Sequence, residues 1–333
     1  MEEILFSSYG AFVPVAVLTG LVAVPLGLMY LIYPKSILQL YMKYYPYLVG
    51  GFTAKSVQVG DHTISYLERP SSTGCTSATV VMFHGFTSSK NANVTMAKYF
   101  PPNWRVIFPD MPAHGDSSYV PNSDYSVHGI VDMLHEFFMV LNLNKVHLTG
   151  QSMGSFVAAQ FSRQYPDLVI SLSLLCPPVE ISEKSPFWRM YFETGKNLFM
   201  PETITELDEM FTHAFYRPLR LTSQIKYGIL DIMKPKYPGF AEVFANMMKS
   251  RFSRDESIQC ISEITVPVLS VFGEHDSVVL LEEISTYFYQ IAAVNDIEVK
   301  ILENCGHAIS VERPRKTAKE IVKFISKHSD YYC

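Results

Sequence analysis

The chain has 333 residues, 48% of them hydrophobic, and a formal net charge of −5 at pH 7. That supplies a large buried core, in one big domain or two small ones, and excludes nucleic-acid binding by bulk charge. Five cysteines (Cys75, Cys176, Cys260, Cys305 and Cys333), odd in number, widely spaced and without a C-x-x-C, imply free thiols in a reducing compartment rather than a metal site or disulfide framework.

An uncharged run extends from Ile4 to Pro34. Its centre, residues 11–33, is long enough to cross a bilayer, for which about 20 residues suffice. A cleaved signal peptide would start basic and end at small residues, whereas Glu2 and Glu3 open this chain and no A-x-A site follows. A buried helix rarely runs so long without a polar face. We therefore expect residues 1–10 to be a tail, 11–33 a transmembrane anchor and 34–54 a juxtamembrane segment. Lys35, Lys43 and a cluster of tyrosines follow the span. Tyrosine suits the headgroup region and lysine the cytoplasmic side. The expectation is a single-pass protein of an endomembrane or the plasma membrane, its bulk in the cytoplasm. The sequon Asn93-Val94-Thr95 matters only if that sidedness is wrong.

After residue 50, short apolar runs alternate with helical stretches. KSVQVG and HTISYLER read as a hairpin about Gly60-Asp61. SATVVMFHG (77–85), WRVIFPDMP (104–112), KVHLTG (145–150), DLVISLSLLCP (167–177), VPVLSVFGEHD (266–276) and IEVKILENCGH (297–307) read as buried strands. Helices are expected near 126–141, over 152–164, between the last two strands, and over 312–328 with Pro314 in its first turn. Continuous apolar strands separated by helices predict an α/β fold, a mainly parallel sheet with helices on both faces. Residues 178–262 break the alternation with Met, Phe and Tyr at helical spacings, read as a helical lid between two core segments, 55–177 and 263–333. In such sheets ligands bind beyond the carboxyl ends of the strands, so functional residues should follow strands directly.

Ser152, in LTGQSMGSFVA, meets that condition. G-x-S-x-G alone arises by chance in about one chain of this length in ten. Here, however, it joins a strand to a helix, a turn so sharp that Gly150 and Gly154 must leave room beside the serine. A helix-capping serine would not explain both glycines, so Ser152 reads as a nucleophile. His307, after the last strand, is the candidate base; His328 lies in the polar tail. Asp276, after another strand, is the candidate acid, with Glu180 the runner-up. The order Ser, Asp, His is that of the α/β-hydrolase arrangement. The oxyanion donors expected are the backbone N–H groups of Met153 and Phe86, Gly85 allowing close approach.

FHGF, PDMPAHGDS, GQSMG, FGEHD and NCGH together resemble the α/β-hydrolase superfamily over about residues 55–328. The uncharged N-terminal run, GQSMG and LENCGHAISVERPRKTAKEI resemble its membrane-anchored monoacylglycerol lipases. The resemblance implies Ser152, Asp276 and His307 as the triad. It also implies hydrolysis of monoacylglycerols of the 2-arachidonoylglycerol type, and of lysophospholipids, at the cytoplasmic membrane face. No metal or organic cofactor is required, and no protein partner is read from the residues. Two departures stand out. Ser155 replaces a further glycine, with little effect expected inside a helix. Glu312 stands where acyltransfer-linked relatives carry Asp, which disfavours acyltransfer. An esterase or peptidase for a soluble substrate and a non-catalytic membrane scaffold on the same fold are the competing readings. Dehalogenase and epoxide-hydrolase chemistry would need a carboxylate in place of Ser152.

Overall fold

Alternating inward side chains and mainly apolar runs build one eight-stranded sheet. A computed structural model describes residues 27–73, 75–178, 182–249, 260–282 and 296–329. The strands are β1 (Thr53–Val59), β2 (His62–Arg69), β3 (Ala78–Phe83), β4 (Trp104–Pro109), β5 (Val146–Gln151), β6 (Val169–Leu175), β7 (Val268–Gly273) and β8 (Ile297–Leu302). Their spatial order is β1-β2-β4-β3-β5-β6-β7-β8. β1 and β2 form an antiparallel hairpin in which Val59 pairs with His62 across Gly60-Asp61. β2 joins β4 antiparallel. From β4 to β8 every pairing is parallel.

Both faces of the sheet are covered. Val81, Phe83 and Leu148 point to one side, into a core shared with helices α2 (Val127–Val140) and α3 (Met153–Gln164). Their neighbours Val80 and Met82 point to the other, where Val271, Ile321 and Phe324 complete a second core. That period of two places large apolar groups on both sides, and each fully buried side chain such as Phe138 contributes about 1.5–3 kcal/mol. Ser126 caps α2 by accepting from the Gly129 N–H.

Before the sheet, α1 (Pro34–Gly50) ends on Gly51 in the left-handed region, φ 67°. Between β6 and β7 the chain forms α4 (Pro186–Thr194), α5 (Ile204–Ala214), α6 (Ser223–Met233) and α7 (Tyr237–Lys249). The last helix is α8 (Pro314–Lys327), with Pro314 at its start. The helix expected between β7 and β8 falls mainly outside the described residues, as does Glu180. Most of the expected anchor, residues 11–26, lies outside them too, while residues 27–32 are helical. No helix of the described residues is long and apolar enough to cross a membrane.

One expectation is corrected. Cys75 is disulfide-bonded, whereas Cys176, Cys260 and Cys305 are free and buried. Spacing along the chain carries no information about which thiols approach in space. The sequon is no glycan acceptor in the folded chain, because Asn93 is fully buried.

Candidate active site

The register of the sheet assembles the site. Phe83 pairs with Gly150, and Gln151 pairs with Leu175. The segments leaving β3, β5 and β6 therefore lie side by side at the carboxyl edge. Ser152 sits between β5 and α3 at φ 53°, a left-handed conformation that costs a non-glycine residue energy. A Cβ on Gly150 would lie 2.2 Å from the Gly154 carbonyl oxygen, and one on Gly154 would lie 2.5 Å from those of Phe83 and His84. The strained turn closes because both side chains are missing.

His307 follows β8 and Asp276 follows β7. His307 Nδ1 lies 2.7 Å from Asp276 Oδ2, and His307 Nε2 lies 2.8 Å from Ser152 Oγ. An ionised carboxylate only accepts, so Nδ1 carries the proton and Nε2 is left to accept from the serine. Asp276 is held in turn: its Oδ1 accepts from Val278 N and Val279 N, both at 2.9 Å. Both His307 and Asp276 are buried, while Ser152 stays half-buried. The arrangement can pass a proton from the serine to the imidazole, with the carboxylate stabilising the resulting cation.

Among the described residues, Cys176, Asp276 and His307 are the one set of ligand-type side chains close enough to share an ion, within 4.8 Å. Burial, and then the neighbouring Asp276, hold the Cys176 thiol well above its ordinary pKa. A protonated thiol is a poor metal ligand. The set therefore suits a proton relay better than an ion.

Gly85 brings the loop after β3 against Ser152, where an added Cβ would lie 3.3 Å from the serine Cβ. Phe86 follows it, with its ring buried. Met153 is the first residue of α3, so its N–H has no partner within the helix.

Two cavities meet at Ser152. One, about 520 Å³, is walled by Phe86, Met153, Trp188, Phe244, Met248 and Val279 among others. Its wall is almost wholly apolar, Ser152 being the one polar residue in it. The other, about 1020 Å³, is more open and reaches past His307 to Phe215 and Met233. Phe86 and Phe199 line both, with ring centres 5.5 Å apart.

Three residues have supporting roles that the sequence did not reveal. Ser155 is fully buried: its Oγ–H donates to Gly150 O (2.7 Å) or Leu175 O (3.0 Å), and its Oγ accepts from Leu175 N (3.1 Å). It pins the elbow to β6, contrary to the small effect expected. His84 accepts from Met111 N at 3.0 Å through Nε2, so Nδ1 is the protonated nitrogen and donates to Gly85 O at 2.8 Å. Burial pushes its pKa down to about 4, which keeps it a neutral brace for the Gly85-Phe86 loop. Glu312 accepts from Gly306 N (2.6 Å), Tyr216 N (3.1 Å) and Arg217 N (3.1 Å), tying the His307 loop to the segment after α5. A histidine beside a glycine hints at a brace; Ser155 and Glu312 stand out only as departures from relatives, with no local sign of these hydrogen bonds.

A family model described as the alpha/beta hydrolase fold matches residues 78–314, and the chain belongs to that family. With this fold and site it is a serine hydrolase. Among curated proteins it is similar to monoacylglycerol lipase ABHD6 of Bos taurus, at 31% identity over 90% of each chain. It is also similar to that of Homo sapiens, at 30% identity over 89% of each. Among solved structures, a membrane phospholipase A described as a bacterial virulence factor superposes with a TM-score of 0.78 at 25% identity, covering 96% of this chain and 98% of that one.

Proposed function

We propose that this serine hydrolase cleaves the acyl ester of monoacylglycerols, of the 2-arachidonoylglycerol type, and of lysophospholipids. The observation that carries the reading is the hydrogen-bonded run Ser152–His307–Asp276 opening onto an apolar cavity. The names of the relatives support it: monoacylglycerol lipases at about 30% identity, and a membrane phospholipase A. In the proposed cycle, His307 Nε2 takes the Ser152 proton as Oγ attacks the ester carbonyl. The N–H groups of Phe86 and Met153 receive the oxyanion, and Asp276 stabilises the imidazolium. The glycerol moiety leaves with the proton from His307, and water then repeats the sequence on the acyl-serine. The acyl chain occupies the apolar cavity, and the more open cavity takes the glycerol side.

Residues 11–33 complete the proposal as a single transmembrane anchor. Lys35 and Lys43 favour a cytoplasmic hydrolase domain, whereas the Cys75 disulfide favours an oxidising compartment. Protease protection of the domain in sealed vesicles decides between them.

Detergent-purified wild type beside Ser152→Ala tests the chemistry, with a long-chain monoacylglycerol and a short soluble ester as substrates. Ser152-dependent turnover that favours the long chain is expected. Turnover of the short ester alone would move the substrate to a soluble class. Equal inactivity of both proteins on both substrates would favour the scaffold.

A further inference from the structure

Under α1 lies a second kind of hollow, an open cavity of about 1070 Å³ with four lysines in its wall: Lys35, Lys43, Lys90 and Lys236. The one carboxylate in that wall is Asp116. It is already engaged, because Lys90 Nζ donates to Asp110 at 2.5 Å and to Asp116 at 2.6 Å. Among the described residues, Lys35, Lys43 and Lys236 have no carboxylate partner. Lys43 lies over the Tyr44 ring at 5.4 Å, and Lys236 donates to a neutral carbonyl, Gly115 O, at 2.6 Å. Burial lowers the pKa of Lys236, and Asp116 and Asp110 offset it only in part. Lys35 and Lys43 thus line the cavity without a carboxylate partner and Lys236 with its charge only partly offset, an arrangement that an entering anion would stabilise.

The place of the cavity narrows the anion. α1 directly follows the apolar N-terminal run and exposes Tyr41, Tyr44, Tyr47 and Leu48, the last 75% exposed. Aromatic and aliphatic groups beside lysines suit the headgroup layer of a bilayer. The cavity also has neighbours on its inner side. It shares Met42, Ile232 and Lys236 with a neighbouring cavity, which shares Ile229 and Met233 with the one holding Ser152 and His307.

We infer that Lys35, Lys43 and Lys236 form a phosphate-binding site, separate from the catalytic site, that takes the headgroup of an anionic lipid. Bound there, the headgroup ties α1 and the 232–236 turn to the bilayer surface. Free phosphate shares the chemistry, and the test separates the two sources.

The full chain is unfolded thermally in detergent micelles doped with dioleoylphosphatidic acid or, as reference, dioleoylphosphatidylcholine. A parallel arm uses inorganic phosphate against sodium chloride at matched ionic strength. Phosphatidic acid is expected to raise the Tm of wild type in a saturable way. Each lysine is worth about a fivefold change in affinity, so Lys35→Gln/Lys236→Gln should weaken the response roughly 25-fold. Lys43→Glu, an exposed change that leaves folding intact, should weaken it as well, while Lys319→Gln/Lys323→Gln on α8 should keep it. A response from inorganic phosphate with the same lysine dependence, and none from phosphatidic acid, overturns the lipid assignment. The inference as a whole fails if neither probe shifts Tm, or if the α8 variant loses as much of the response as the cavity variants.

Discussion

Glu312→Gln isolates the support of His307 from its chemistry. Glu312 Oε2 accepts from Gly306 N at 2.6 Å and from Tyr216 N at 3.1 Å, and Oε1 accepts from Arg217 N at 3.1 Å. Glutamine keeps one acceptor oxygen. Its amide nitrogen must then face at least one of the three N–H groups, donor against donor. A hydrogen bond to a charged group contributes about 1.5–3 kcal/mol, and a donor left unpaired costs about 1–3 kcal/mol. Glu312 is half-buried, so the lower end of those ranges applies, a loss of about 2 kcal/mol. For a domain of this size that lowers Tm by about 3 °C. Gly306 directly precedes His307, so the same change lets the imidazole drift from Ser152. A drift of about 1 Å costs up to 100-fold, and we expect kcat to fall about 10- to 100-fold with KM nearly unchanged. The assay is steady-state hydrolysis of a short soluble ester, which reports the triad without the acyl cavity, together with a thermal scan. A kcat within about twofold of wild type at unchanged Tm would refute the reasoning. A change confined to KM would place Glu312 in substrate binding instead.

Gly154→Ala forces a Cβ to 2.5 Å from two carbonyl oxygens, so it should lower stability by about 1–3 kcal/mol and slow labelling of Ser152 by a fluorophosphonate probe at least tenfold; unchanged labelling would show that the elbow tolerates the methyl group. Ser155→Ala strands the Leu175 N–H, so a loss of about 1–3 kcal/mol is expected in urea unfolding, and a midpoint equal to wild type would return Ser155 to an idle helical position. His84, His114 and His147 are held neutral mainly by burial, with pKa values pushed down to about 4, 3 and 4. The unfolded chain takes up these protons near pH 6.5 and the folded chain does not, so this stability is complete above about pH 6.5 and falls towards pH 4, by up to about 1.4 kcal/mol per pH unit for each histidine. Urea midpoints that stay flat from about pH 7 to pH 5 would contradict that sign.

What the sequence made legible follows from local physics. β3, β5, β6 and β7 are mainly apolar runs with few charged residues because both of their faces are covered, and that signal needs no knowledge of the partner strand. Ser152 was visible through Gly150 and Gly154, since a turn that forbids two side chains leaves a mark in the chain itself. Asp276 and His307 were visible as polar residues closing apolar runs. Glu312 was not, because its three N–H partners come from Gly306, Tyr216 and Arg217, two of them almost a hundred residues away. Ser155 was misjudged for a related reason. Helical propensity describes its backbone, while its role lies in a hydroxyl reaching the Leu175 peptide on another strand. Cys75 shows the same limit, since sequence spacing does not report which thiols meet.

The lysines after the apolar run show how one residue type serves two arguments. As charges near a span they favour one side of a membrane. In the folded chain Lys35 and Lys43 line a cavity with Lys90 and Lys236, so the fold gives them a place whichever compartment they occupy. Their weight as evidence for sidedness drops accordingly. The two questions come apart experimentally: Lys43→Glu weakens an anion site wherever the domain lies, whereas reversed sidedness changes which face a protease reaches and leaves phosphate affinity as it was. A variant that lost the phosphate response while keeping its protease pattern would assign these lysines to the cavity rather than to topology.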